Sequence, residues 1–186
     1  MPPLHLYVDG SCGDNRNVGK ETIAGWGVCI VRGDSGTGKG QGEVIEEFSG
    51  RVITDPESPE YMGASVGSNN TAELTAIGHA LRWALIDGKK DALTIRSDSE
   101  YASNLTIGIW KPKANKELVR RIRSFWKECL LNRTVTVEHV RAHRGHRWNE
   151  RADHLAFRAM EGRNPDPLAI LEARQSIIRA HSANPS

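Results

Sequence analysis

Residues 4–11, Leu-His-Leu-Tyr-Val-Asp-Gly-Ser, alternate apolar and polar side chains. Leu4, Leu6 and Val8 fall on one side; His5, Tyr7 and Asp9 fall on the other. This two-residue period is that of a β-strand. The acid near the strand's end narrows the options more than any other feature. A carboxylate within a sheet is costly unless it is paired or bound to a cation. Asp9 therefore reads either as a strand-end residue opening a turn with Gly10 or as the first ligand of a metal site.

The rest of the chain supplies a scaffold for such a strand. A second strand fits residues 22–32, with Ala24, Trp26, Val28 and Ile30 on one face. A glycine-rich flexible turn over 33–42 leads to a third strand over 43–53. Three strands in succession predict an antiparallel meander. Residues 54–68 contain two prolines and little periodicity, and read as a long loop at the rim of any site nearby. Asn69-Asn70-Thr71 supplies caps for a helix with a stripe of Leu74, Ile77, Leu81 and Leu85, ended by Asp87-Gly88. A short strand over 92–97 runs into Asp98, and a short helix follows over 99–108. Asn115 is expected to cap the next helix, with Leu118, Ile122, Phe125, Trp126 and Leu130 inward. A fifth strand over 134–140 precedes a helix over 148–160, with Ala152, Leu155, Ala156, Ala159 and Met160 inward. Strand-helix-strand units after the meander predict a mixed α/β sheet covered by helices. The tail from Gly162 carries a loose apolar stripe over 168–181, a docked helix or a frayed appendage. The division expected is a domain over 1–162 and a tail over 163–186.

Composition excludes several classes. Of 186 residues, 38% are hydrophobic and 26% charged, which is ordinary for a globular protein. Net charge is only +2, so a polyanion must be held by local basic patches. Cys12, Cys29 and Cys129 match no zinc spacing and no disulfide framework, which points to a reducing, cytoplasmic setting. The N-terminus has no basic segment followed by an apolar one, so no signal peptide is expected. No apolar run approaches the roughly 20 residues that span a bilayer. A monomer is expected.

Four acids occupy related positions. Asp9 ends the first strand, and Asp98 ends the fourth. Glu73 lies in the first turn of the first long helix, and Asp153 lies one turn into the last. Strand ends and adjacent helix starts converge at one edge of an open sheet. Carboxylates gathered there repel one another in a partly dry site, and hard divalent cations relieve that repulsion. Two such ions about 3.5–4 Å apart support in-line attack of water on a phosphodiester. Taken singly, each acid has another reading. Glu73 favours a helix N-terminus, Asp98 resembles a cap, and Asp153 fits a solvated helix face.

The words around the acids resemble those of a known family. Tyr-Val-Asp-Gly-Ser, Asn-Asn-Thr-Ala-Glu-Leu, Ser-Asp-Ser-Glu-Tyr and Val-Arg-Ala-His-Arg-Gly-His-Arg-Trp-Asn-Glu-Arg-Ala-Asp-His-Leu-Ala look like the four motifs of type 1 ribonuclease H, in order, over about residues 4–160. The resemblance implies a five-stranded mixed sheet ordered 3-2-1-4-5, three strands antiparallel and the rest parallel. It implies hydrolysis of the RNA strand of RNA/DNA hybrids with two Mg2+ ions, or Mn2+, leaving 5′-phosphate and 3′-hydroxyl ends. Asp9 would bridge both ions, Asp153 would help hold the one that activates water, and Glu73 and Asp98 would hold the one near the leaving group. His143 matches a mobile-loop histidine that assists proton transfer or product release. It also lies beside Gly145 in a loop where a histidine titrates near neutrality. His146 is a weaker candidate for the same work.

The resemblance also suggests how a hybrid is held. RNA differs from DNA by its 2′-hydroxyl, which Gly10, Ser11, Glu73 and Asn70 would contact. Asn15, Ser68 and Asn69 match positions near phosphate or sugar. A glycine at position 10 would allow close backbone approach to a ligand. Basic residues cluster at Lys111, Lys113, Lys116, Arg120, Arg121, Arg123 and Lys127, and again at Arg141, Arg144 and Arg147, where phosphates could bind. Trp110 reads equally as a stacking platform or as core. Three features depart from the family. There is little room for the extra helix and basic handle of many bacterial members. Glu100 stands where many have Gln, and the 54–68 loop is long. No hybrid-binding domain is expected before Asp9. The alternatives are a non-catalytic hybrid-binding protein and another nuclease of the same fold acting on DNA.

Overall fold

The computed structural model describes residues 3–19, 21–87, 89–142 and 144–183. Five strands form one sheet in the order β3-β2-β1-β4-β5. These are β1 (Leu4–Cys12), β2 (Ala24–Arg32), β3 (Glu43–Arg51), β4 (Leu93–Ser97) and β5 (Val135–His139). The first three pair antiparallel; β4 and β5 run parallel to β1. Five helices accompany them: α1 (Asn69–Asp87), α2 (Glu100–Ile107), α3 (Lys116–Asn132), α4 (Arg147–Glu161) and α5 (Leu168–Ala183). The expected sheet is the one observed. Among the described residues no helix is long and apolar enough to cross a membrane.

Central β1 is buried on both faces. Leu4, Leu6 and Val8 join Val28, Ile30 and Ile95 in a core shared with Leu74, Ile77 and Leu81 of α1 and Leu118 and Ile122 of α3. Tyr7, on the opposite face, packs with Cys29, Val31, Trp148, Ala152 and Leu155 under α4. The side that alternation marked as polar is therefore covered as well, and His5, Tyr7 and Asp9 are all buried.

Glycines set how closely helices approach. A Cβ on Gly27 would stand 2.7 Å from the Ala152 carbonyl oxygen and 2.7 Å from Leu155 Cβ. So α4 rests directly on the backbone of β2, with no side-chain layer between them. Gly10 serves the same purpose for α1. Its Cβ would fall 2.6 Å from Ala72 Cβ and 2.6 Å from the Glu73 amide nitrogen. Close helix packing explains a glycine here before any ligand does.

Several local expectations change. The α1 cap is Ser68, one residue earlier than expected. Its hydroxyl accepts from the Thr71 N–H at 3.0 Å, and Thr71 Oγ1 accepts the Ser68 N–H at 2.8 Å. This reciprocal pair satisfies two donors. Glu73 consequently sits in the second turn, not the first. Asn115 has a left-handed backbone (φ 57°) and no side-chain cap bond; its Nδ2 donates to the Tyr101 hydroxyl instead. Leu130 is 47% exposed, and Cys129 takes the inward position. The loop before α1 packs down between helices. Gly63 abuts Leu118, the Met62 sulfur lies against Gly78, and the Tyr61 carbonyl accepts from Arg121 Nη1. Its last residues adjoin the start of α1, where the Val66 carbonyl and Ser68 both bond Thr71.

The tail forms α5, none of whose residues is buried. It is tied to α4 by ion pairs from Arg147 to Glu172 and from Arg158 and Arg174 to Asp166. All three cysteines are free, and Cys29 and Cys129 are buried.

Candidate active site

Three separate contacts bring the acids together. In the sheet, Val8 pairs with Ser97, so Asp9 and Asp98 leave neighbouring strands side by side. The α1 crossing at Gly10 sets the Glu73 backbone against β1. Asp9 is the register partner of Gly27, on which the Ala152 carbonyl rests, so the next residue of α4, Asp153, lies near Asp9.

Asp9, Glu73 and Asp98 each offer an oxygen, and these oxygens lie within 4.8 Å of one another. Asp9 is only 6% exposed. Burial first, then the charges of Asp98 and Asp153, push its pKa up to about 9; Glu73 adds a smaller push, and the Gly10 N–H bond to Oδ1, at 2.9 Å, opposes it. Burial raises Glu73 to about 7, against a bond from the Ser99 hydroxyl and with Asp98 adding to the rise. Asp153 is felt by Asp9 but stands outside the tight trio. The donor set is all oxygen, anionic and crowded, and it fits a hard divalent cation. Sequence reasoning missed Ser99, which also caps α2 by accepting from the Ala102 N–H at 3.0 Å. Its signal was the second serine of Ser-Asp-Ser, three residues before Ala102.

His143 lies outside the described residues. Asn15 Oδ1 accepts the Asn69 N–H at 3.3 Å, which joins the first loop to the start of α1. The Ser68 hydroxyl is engaged in its cap. Ser11 contacts the Met160 sulfur, and Asn70 is exposed. Glu100 is exposed at the start of α2.

The basic cluster divides. Lys111 and Lys113 line a groove of about 680 Å³ with Asn70, Tyr101 and Trp110. Trp110, 43% exposed, belongs to that groove and not to the core. Lys116 lines a different hollow with Lys127. Arg120 and Arg121 pair with Glu117, and Arg123 donates to the carbonyls of Leu105 and Trp110. Arg147 is held by Glu172 and stacks on Trp148, 4.2 Å from the ring centre.

A family model for RNase H matches residues 2–161. The chain belongs to the ribonuclease H family. A ribonuclease H from Dinoroseobacter shibae is 32% identical over 174 residues, covering 86% of this chain and 92% of that protein. The structure of RNase H1 from the halophilic archaeon Halobacterium salinarum superposes with a TM-score of 0.60 at 27% identity, covering 86% of this chain and 98% of the other. The fold also matches LC11-RNase H1 in complex with an RNA/DNA hybrid, with a TM-score of 0.61 at 23% identity, covering 86% and 97%. Family membership accounts for the four motifs, and the sheet order agrees with it.

Proposed function

We propose that this member of the family hydrolyses the RNA strand of RNA/DNA hybrids with divalent cations, leaving 5′-phosphate and 3′-hydroxyl ends. The observation that carries the reading is the trio of Asp9, Glu73 and Asp98, whose oxygens lie within 4.8 Å of one another where a strand end meets a helix, with the Asp9 and Glu73 pKa values raised. A protein with no use for cations gains nothing from such repulsion.

Asp9, Glu73, Asp98 and Asp153 would hold the cations, two with substrate bound. The chemistry that magnesium or manganese supplies at such a site is Lewis acidity toward the attacking water and the departing oxygen. The chain's own residues do the rest. Asp9 is central, because every other acid is placed against β1. The Ser99 hydroxyl orients Glu73. Asn15, Asn69, Asn70 and the backbone of Gly10 and Ser11 frame the edge where ribose would lie, and a 2′-hydroxyl there would distinguish RNA. Lys111 and Lys113, beside Trp110, would follow the phosphates of the paired strand, and Lys116, in a separate hollow, would add a further contact. His143, four residues before α4 in the sequence, would move a proton or help release product. Residues 1–162 form the catalytic unit, and 163–186 add an external helix. Buried free thiols suit a reducing, cytoplasmic setting, and a monomer suffices for all these roles.

The test compares wild type and Asp9→Asn on a labelled hybrid, duplex DNA and duplex RNA, with magnesium and with chelator. Cleavage of the hybrid's RNA strand alone, lost in the variant and in chelator, is expected. Wild-type cleavage by Asp9→Asn, or cleavage of duplex DNA in preference, overturns the reading.

A further inference from the structure

A second polar cluster lies on the α4-facing side of β1, two residues before Asp9. Tyr7 is fully buried there. Its hydroxyl donates to Asp34 Oδ2, and its oxygen lies 3.3 Å from His146 Nε2, with the two rings stacked 4.9 Å apart. His146 immediately precedes α4. Its Nδ1 faces the N–H groups of Trp148 at 3.3 Å and Asn149 at 3.5 Å. Asp34 opens the 33–42 loop, and its Oδ1 accepts the Gln41 N–H at 3.1 Å. That loop, expected to be a flexible turn, closes on the same helix. The Lys39 carbonyl accepts the Arg147 N–H at 2.7 Å, and the Gln41 carbonyl accepts Trp148 Nε1–H at 2.7 Å. A Cβ on Gly40, where φ is +102°, would fall 2.9 Å from Arg147 Cβ, so the loop lies flush on the helix start.

Counting protons fixes the direction of this chain. Backbone N–H groups only donate, so His146 Nδ1 must carry a lone pair. A neutral imidazole then bears its proton on Nε2. That N–H faces the Tyr7 oxygen, which accepts, and Tyr7 passes its own O–H to the Asp34 carboxylate. No donor faces a donor from Asp34 to the first turn of α4. The free N–H groups of residues 147, 148 and 149 are all satisfied, as a helix start requires.

We propose that Asp34, Tyr7 and His146 form a positioning relay that fixes the start of α4, and through it the place of Asp153 beside Asp9. The proposal rests on the nuclease reading above for its catalytic consequence. All three are positioning residues, and none touches the phosphodiester. His146 therefore acts as a helix cap and not as a proton carrier. The groups facing it are Asp34 from the loop, Tyr7 and His5 from β1, Arg96 from β4 and Glu150 from α4. Tyr7 and Asp9 share one face of β1, so a single strand both anchors α4 and presents the acid that α4's own carboxylate must meet.

The test uses the full chain and three variants. His146→Ala removes the cap, and His146→Asn keeps a capping oxygen. Tyr7→Phe keeps the ring and removes the link. His146→Ala is expected to lower kcat on the order of tenfold, less than an ångström of misplacement costs a positioned group. KM for the hybrid should stay within about twofold and the magnesium needed for half-maximal rate should rise, as expected when a supporting partner of a ligand is lost. His146→Asn should recover most of the loss, and Tyr7→Phe should shift kcat and magnesium demand in the same direction by less. A folded His146→Asn as impaired as His146→Ala overturns the proposal, because His146 would then act chemically. Wild-type kcat and magnesium demand in both Tyr7→Phe and His146→Ala also overturns it. If wild type cuts no hybrid, the nuclease reading fails, and the relay is read by 15N NMR of the His146 ring. A proton on Nε2 supports it, and a proton on Nδ1 overturns it.

Discussion

Replacing Asp9 by asparagine is expected to stabilise the metal-free protein, and to do so more strongly as pH rises. The Asp9 carboxyl has a pKa near 9 in the folded chain, against 3.8 for an unperturbed one, chiefly because it is buried and because Asp98 and Asp153 crowd it. A folded pKa above the unfolded one means that the native state holds the proton more tightly. Its contribution is therefore fully present below the unfolded pKa and is lost as pH rises toward the folded one. Each pH unit inside that window costs about 1.4 kcal/mol for one such group. From pH 5 to pH 8 the ceiling is about 4 kcal/mol, and water entering the open side of the site reduces the expected change to about 2 kcal/mol. Asparagine has no proton to lose and no charge to bury, so it escapes this slope. Urea unfolding of both proteins in chelator, at several pH values across that range, measures the gap directly. Saturating magnesium should close or reverse it, since a bound cation stabilises only the form that holds it. Two stability curves that run parallel from pH 5 to pH 8 in chelator would refute the reasoning.

Other substitutions test the scaffold. Gly27→Ala should push α4 away from β2 and lower stability by about 1–3 kcal/mol in chemical denaturation, while raising the magnesium needed for cleavage because Asp153 travels with the helix. Arg151→Met should cost about 3–5 kcal/mol, since Arg151 is nearly fully buried and its Nη2 bonds Glu47 Oε1 at 3.0 Å; an unchanged melting curve would show that Glu47 is relieved by solvent. Lys111→Ala with Lys113→Ala should weaken hybrid binding and flatten its dependence on log salt by about one unit per lost phosphate contact, with kcat at saturating hybrid unchanged. An unchanged salt slope would remove both lysines from the interface.

Much of this architecture was legible from periodicity and motif. The alternation in 4–11 located β1, and the stripe of Leu74, Ile77 and Leu81 located α1, because each pattern records which face is buried. What local patterns hide is what lies against the other face. The side of β1 that alternation marked as polar is buried too, and α4 packs over Tyr7 there, having reached the strands through glycines at 25 and 27 that no helix pattern in α4 announces. Gly10 suggested close approach of a ligand, but not that α1 takes up the side a Cβ would occupy. Asn115 had a capping residue's identity but a backbone turned left-handed, so its amide found Tyr101. The four acids were visible because their neighbouring words were. That three of them crowd together while Asp153 stands slightly apart depends on a register and two crossings, which only coordinates provide.

The reciprocal arrangement of these elements bears on how the chain could be divided. Asp9, Glu73 and Asp98 all precede the exposed 109–115 segment, and Asp153 follows it. A protease nick there would yield one fragment with the trio and another with the helix that completes it. Neither half would cut alone, and a mixture would regain activity only as the α4 half settled back onto the bare backbone at Gly27, which makes this segment a natural joint for a split nuclease whose signal reports reassembly.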